Sequence, residues 1–293
     1  MRRLRVLSRA DWSARAEEHR TRVEPWTRAR VRRREVGEKH PVWDFLFEYY
    51  NLSPGGLERW HPGLDHALAD APEYARLASY TRLEDRTVAA DPSRLSARLP
   101  RLAWTRDLLS RTAGRPGRWG CFGLHEWAMV YRQPEQRRHT VPLRLGSAGT
   151  DAVVESHRLT CTHTDAFRFY TDEARPLNEP SPTRENQLEL EQPGCLHANM
   201  DLYRIAFRML PFVDSETVAE AFELAAEIRE VDMRASPYDL RPHGFDPIAV
   251  ETTEGKAEYV RRQRDFAARA EPLRARLLHV AGELIHRAEE SAA

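Results

Sequence analysis

The last third of the chain limits the possible folds most. From Cys195 onward, apolar residues recur every three or four positions through "CLHANMDLYRIAFRML", "SETVAEAFELAAEIREVDMR" and residues 253–289. That period buries one face of a helix, so three helices are predicted, the second capped by Ser215. The irregular span "ASPYDLRPHGFDPIAVE" separates the last two. The other end of the chain reads similarly. Residues 8–34 have a helical pattern, with Asp11 and Ser13 as start signals and Pro25 as an interruption. A short aromatic helix is expected in "HPVWDFLFEYYNL", a loop in "SPGGLERWHPG", and a helix over 93–112 bent near Pro100.

Residues 140–170 differ. "VPLRLG", "DAVVESHRLT" and "AFRFY" are short, rich in β-branched or aromatic residues and separated by turn residues, which predicts strands. "ARPLNEPSPTRENQLELEQPG" is a long irregular connection of the kind that often lines a site. No internal repeat or dividing linker is visible. The expected architecture is mainly α (α+β): a single helical domain over 1–293, a basic N-terminal helical arm over 1–40 and a small antiparallel β insert around 140–170.

Composition narrows the class. At 293 residues the chain has ample material for a core, and its apolar and aromatic content is that of a globular protein. No apolar run reaches the roughly 18 residues a transmembrane helix needs. "MRRLRVLSRADW" lacks the apolar region of a secretory signal, and the odd, widely spaced cysteines form no disulfide framework. A cytoplasmic location is therefore expected. Net charge is zero, yet residues 1–40 carry 13 Arg and Lys against 6 Asp and Glu. With Trp12 and Trp26 nearby, that strip suits phosphate neutralisation and base stacking, so DNA is a candidate partner, and a solvated helix face is the plainer reading.

Each of the three cysteines is followed closely by a histidine: Cys121 by His125, Cys161 by His163 and Cys195 by His197. Thiolate and imidazole are preferred zinc ligands, and soft sulfur also suits iron. None of the pairs has the Cys-x2-Cys form of a structural zinc site, so mixed histidine and carboxylate ligation is favoured, with His125, His157, His163 and His197 as candidate ligands for zinc or iron. Buried cysteine acting as a small apolar residue is the alternative. The carboxylates form a second constellation. Asp44, Glu126, Asp151, Glu155, Asp165 and Asp201 sit beside aromatics or histidines, and a carboxylate next to histidine can fix a tautomer or act as general base. Asp44, Glu126 and Asp165 are the catalytic candidates. "SPTRENQLELEQPG" offers Arg184 for hydrogen bonding to a ligand.

Several longer runs carry a resemblance. "GEKHPVWDFLFEYY", "RWHPG", "GCFGLHEWAMVYR", "HTDAFRFYT", "PTRENQ", "EQPGCLHANMDLY" and "DMRASPYDL" look like segments of a GC-rich bacterial family, of actinobacterial type, commonly named 3-methyladenine DNA glycosylase. The resemblance spans about residues 10–275. It implies hydrolysis of the N-glycosidic bond of an alkylated purine, with the base flipped from the duplex into an aromatic pocket. Trp43, Tyr49, Tyr50, Trp127, Tyr131 and Phe167 would grip the base, Asp44 or Asp165 would stabilise the sugar cation or activate water, and the basic strip would hold the DNA backbone. The chain lacks the Leu-Pro-Gly-Val-Gly hairpin of the helix-hairpin-helix glycosylases. Two other functions stay open: a metal-dependent enzyme acting on a small molecule, and a nucleic-acid-binding protein without catalysis.

Overall fold

The Ser8 hydroxyl accepts from the Asp11 amide at 3.2 Å and so satisfies one of the open donors at the start of α1 (Arg9–Glu35). In the computed structural model, which describes residues 4–83, 86–133 and 141–290, α1 continues through Pro25. The proline removes one ladder hydrogen bond. A buried stripe of Trp12, His19, Val23 and Thr27, at helical spacing on both sides of it, keeps the helix docked.

The chain makes two compact units. One comprises Met1–Asp107, Leu202–Glu223 and Ala275–Ala293; the other comprises Leu108–Asp201 and Leu224–Arg274. The first holds β1 (Arg5–Leu7), α1, α2 (Phe45–Glu48), α3 (Pro54–Glu58), β2 (His66–Ala69), β3 (Tyr80–Arg82) and β4 (Thr87–Ala90). The second holds α5 (Leu124–Ala128), α6 (Gly146–Glu155), α7 (Thr164–Phe167) and α8 (Gln187–Leu190). The divisions fall inside α4 (Leu99–Ala113), α9 (Leu196–Arg208), α10 (Ser215–Arg234) and α11 (Thr253–Glu290). The mainly helical α+β class is as expected. Among the described residues no helix is long and apolar enough to cross a membrane.

The sheet lies elsewhere than expected. Its order is β1-β2-β4-β3, with β1 parallel to β2 and the other two pairings antiparallel. Leu7, Leu68 and Val88 come into register across it and pack with Trp12, Tyr74 and Tyr80. The strands expected around 140–170 are instead α6, α7 and loops; residue 140 itself lies outside the described residues. In α6 the buried positions are Thr150, Val153 and Val154, a helical spacing that the β-branched composition disguised. "AFRFY" enters α7, which His163 starts by accepting from the Ala166 amide at 3.3 Å. The true strands are only three or four residues long, too short for a clear alternation. The helix expected over 93–112 begins as α4 at Leu99, which leaves Pro100 in the first turn, where no amide donor is needed.

His61 shows how the first unit is sealed. It is buried, its Nδ1 lies 2.8 Å from the Tyr80 hydroxyl, and its ring stacks on Tyr80. Burial first, then Arg59 and His19, push its imidazole down to about 3. An unfolded histidine titrates near 6.5, so below that pH the unfolded chain takes up a proton the folded one refuses. The stability that neutral His61 contributes is complete above about pH 6.5 and is lost as the pH falls toward 3, by at most about 1.4 kcal/mol per pH unit. Urea midpoints from pH 7 to pH 4 should fall less steeply for His61→Gln than for the parent; equal slopes would contradict this assignment.

Two glycines in α11 give a paired test. A Cβ on Gly255 would lie 1.9 Å from the Ala249 carbonyl oxygen, whereas one on Gly282 meets nothing within 4 Å. Gly255→Ala should cost about 1–3 kcal/mol, and Gly282→Ala should add roughly 0.5–1 kcal/mol. Thermal melts of the two variants check the opposite signs.

Candidate metal centre

Three segments of the second unit converge, each for a local reason. Gly123, at φ 70°, turns the chain into α5, and a Cβ there would press on the Tyr259 ring at 3.2 Å. All five residues of α5 are buried, and Trp127 anchors it by donating from Nε1 to the Ala235 carbonyl at 2.8 Å. Gly194 lets the segment before α9 approach the Arg118 backbone, where a Cβ would stand 2.6 Å from the Arg118 carbonyl. The Arg118 amide donates to the Gln192 side chain at 2.8 Å, which holds the approach closed. On α10 the buried face runs through Ala225, Arg229 and Asp232, so two charged groups enter the interior one helical turn apart.

Arg229, 1% exposed, uses Nη1 to donate to Glu126 Oε1 at 3.0 Å and to Asp232 Oδ2 at 2.9 Å. This fixes the Asp232 carboxylate. Its other oxygen, Oδ1, lies 3.0 Å from His125 Nε2, and His197 Nε2 lies 4.0 Å from Oδ2. The His125 and His197 rings meet edge to face at 4.5 Å, and His163 stacks on His197 at 5.2 Å. Among the described residues, His125, His197 and Asp232 are the one group that brings three ligand atoms within 4.8 Å of one another. His125 Nε2 and Asp232 Oδ1 face each other at 3.0 Å, and among the described residues neither has a further hydrogen-bond partner. An imidazole and a carboxylate that face each other with no third partner are donors that an ion can take.

The electrostatics suit ligation. Burial first, then the nearby His125, lower His197 to about 3 and keep its imidazole neutral. Burial opposes charge on Asp232, but His125, His197 and Arg229 hold it well below the usual carboxylate range. Burial also disfavours charge on His163, yet the hydrogen bond and charge of Asp201, 3.3 Å away, leave its pKa raised. The His163 Nδ1 accepts from Ala166, so Nε2 carries the proton that faces Asp201.

A cavity of about 20 Å³ adjoins the group, lined by Cys121, His125, Cys161, Cys195, His197 and Tyr259 among others. It has room for about one water molecule. All three cysteines are free. Burial raises each thiol, Cys161 to about 12, and Gln263 donates to Cys121 Sγ at 3.2 Å. The three Cys-His pairs thus meet at one place, with the sulfurs as thiols in the wall.

The other sequence candidates lie as follows. His157 stands apart from the group and donates from Nδ1 to the Val153 carbonyl at 2.7 Å. Glu126 is bound to Arg229. Asp165 is buried against Arg184 at 3.2 Å and Arg168 at 3.7 Å. Asp44 belongs to the first unit, held by Arg30 at 2.8 Å and Arg33 at 2.5 Å. Trp43 packs on Trp26; Tyr49 and Tyr50 pack on Phe45 and under Arg204. Trp127, Tyr131 and Phe167 are buried, Tyr131 donating to Glu155 at 2.9 Å and Phe167 packing on Tyr170. In the basic strip Arg20, Arg22, Arg28, Arg30 and Arg33 all pair with acids of the same unit.

Arg229 and Asp232 were missed in the sequence. The signal was present: a strict helical stripe of Val218, Phe222 and Ala225 continues through these two charged residues. Compared with known proteins, the chain matches no family profile, no curated protein and no solved structure.

Removing one partner of a buried ion pair leaves the other charge uncompensated. Arg229→Met should therefore destabilise the protein by about 3–5 kcal/mol, and Arg229→Met with Glu126→Gln by clearly less. Chemical denaturation of the double-mutant set measures the difference.

Proposed function

We propose that His125, His197 and Asp232 hold a divalent transition metal, zinc or iron(II), and that the chain is a metal-dependent enzyme acting on a small molecule at the metal's open position. The observation that carries the reading is the convergence of three ligand atoms within 4.8 Å, two of them buried and facing each other with no further partner among the described residues. Two imidazoles and one carboxylate are a donor set of catalytic zinc sites and of non-haem iron sites, in which three protein ligands leave a position open. His125 and His197 also face the cavity, which gives that position somewhere to open. A bound ion of this kind supplies Lewis acidity and a water of lowered pKa. The protein's own part is to hold Asp232 through Arg229, to keep His197 neutral by burial and to exclude bulk water.

Elemental analysis of untagged protein tests the reading. The expected result is close to one zinc or iron per chain, with His125→Ala, His197→Ala and Asp232→Asn each losing it and His157→Ala retaining it. Metal-free protein that takes up none on incubation would overturn the reading.

DNA N-glycosylase activity on alkylated purines, which the resemblance implies, is the second reading. One observation favours it: two of the resembling segments, "GCFGLHEWAMVYR" and "EQPGCLHANMDLY", supply cavity walls, and His163 of a third stacks on His197. Against it stand the arginine pairs of Asp44, Glu126 and Asp165. Release of free base from methylated DNA by chelator-treated protein is expected on the glycosylase reading alone.

A further inference from the structure

Whatever reaches the centre has to pass a wall. The cavity has room for about one water, and the three candidate ligands are at most 9% exposed. A larger molecule enters only if part of the lining moves. Among the described residues that line the cavity, Arg118 alone is exposed, so its solvent side is the segment Pro116–Gly120.

The walls differ in how they are held. Asn178 fixes Cys161 twice, accepting from its amide at 2.8 Å and donating to its carbonyl at 2.9 Å. Cys195 opens α9, its carbonyl accepting from the Asn199 amide at 3.2 Å, and Tyr259 lies within α11. Pro116–Gly120 belongs to no helix or strand. Among the described residues its backbone makes one hydrogen bond, from the Arg118 amide to Gln192 Oε1 at 2.8 Å. The same oxygen accepts from the Gly194 amide at 2.7 Å, which keeps Gln192 on the α9 side.

The ends of the segment are tied more firmly. Arg115 donates to the Glu191 carbonyl at 2.9 Å and to the Leu188 carbonyl at 2.5 Å. At the other end Gln263 donates to Cys121 Sγ at 3.2 Å. Between these ties stand two glycines. Trp119 folds back on Gly117, where a Cβ would lie 2.5 Å from its ring, and carries the Arg264 guanidinium 5.3 Å from its ring centroid. A Cβ on Gly120 would meet nothing within 4 Å. A segment fastened at both ends and held by one backbone hydrogen bond between them opens at far less cost than global unfolding.

We infer that Pro116–Gly120 is a door between solvent and the cysteine-lined cavity, with Gln192 as its latch. Resting on the metal reading, its opening admits the ion and the small molecule.

The cavity thiols report the opening without any metal. Metal-free, full-length protein is treated with excess iodoacetamide, and alkylation of Cys161 and Cys195, both 8% exposed, is followed by peptide mass spectrometry. The rate is expected to be independent of urea well below the unfolding midpoint, as a local opening requires. Gln192→Ala removes the latch and should speed alkylation roughly 5- to 10-fold. Gly120→Ala, which has space for its methyl group, should slow it by about 2- to 5-fold, because alanine restricts the open chain. Should Gln192→Ala fail to fold, the urea dependence and the Gly120→Ala rate decide. Alkylation that rises with urea in step with global unfolding, or a rate in Gly120→Ala no lower than in the parent, overturns the inference. Cobalt(II) uptake by the same samples separates the two readings. The expected alkylation rates without cobalt binding support the door and overturn the metal reading alone.

Discussion

Everything at the centre depends on one buried guanidinium. Arg229 is held between Glu126 and Asp232, and all three are at most 5% exposed. Buried ions are tolerated only where geometry and pairing offset the loss of hydration. One cation between two carboxylates cannot neutralise both, and the second oxygen of Asp232 is turned to the imidazole of His125. His125 and Asp232, left with each other and no further partner among the described residues, express the same imbalance. On the side away from the arginine, Asp232 meets the two histidines, at 3.0 Å and 4.0 Å.

The local structure explains why the opening persists. The short helix α5 brings His125 and Glu126 in together, so one element supplies a ligand and the partner of the arginine. Trp127, locked to Ala235, ties that element to the end of α10, where Arg229 and Asp232 sit one turn apart. Glycines at 123 and 194 permit backbone approaches that any side chain would block. Around this frame the thiols of Cys121, Cys161 and Cys195 behave as burial dictates: protonated, weakly polar wall material.

Much of the fold was legible because its long helices declare their period. The span "SETVAEAFELAAEIREVDMR" is α10 to the residue, although Asp214 and not Ser215 caps it by accepting from the Thr217 amide at 2.7 Å; α1 is displaced by one residue at each end, and α11 runs one residue further than expected. The sheet was not legible: "HALA" and "TVAA" are too short to show alternation, while Val153 and Val154 favoured a strand in isolation and a helix in their context. At the site, His125 and His197 could be picked out from their proximity to cysteine, although the sulfurs are not the partners that matter. Asp232 escaped notice because it lies far along the chain in a helix whose charged residues, Arg229 and Asp232 apart, are at least partly exposed. His157 was overrated for the opposite reason: its neighbours in sequence are not its neighbours in space.

The identity of the atoms around the bound ion tests the central claim most directly. X-ray absorption spectroscopy on the metal-loaded protein should find a first shell of nitrogen and oxygen at about 2.0–2.2 Å with no sulfur. A sulfur shell near 2.3 Å would move the ion onto the cysteines and contradict the account given for Asp232 and its arginine.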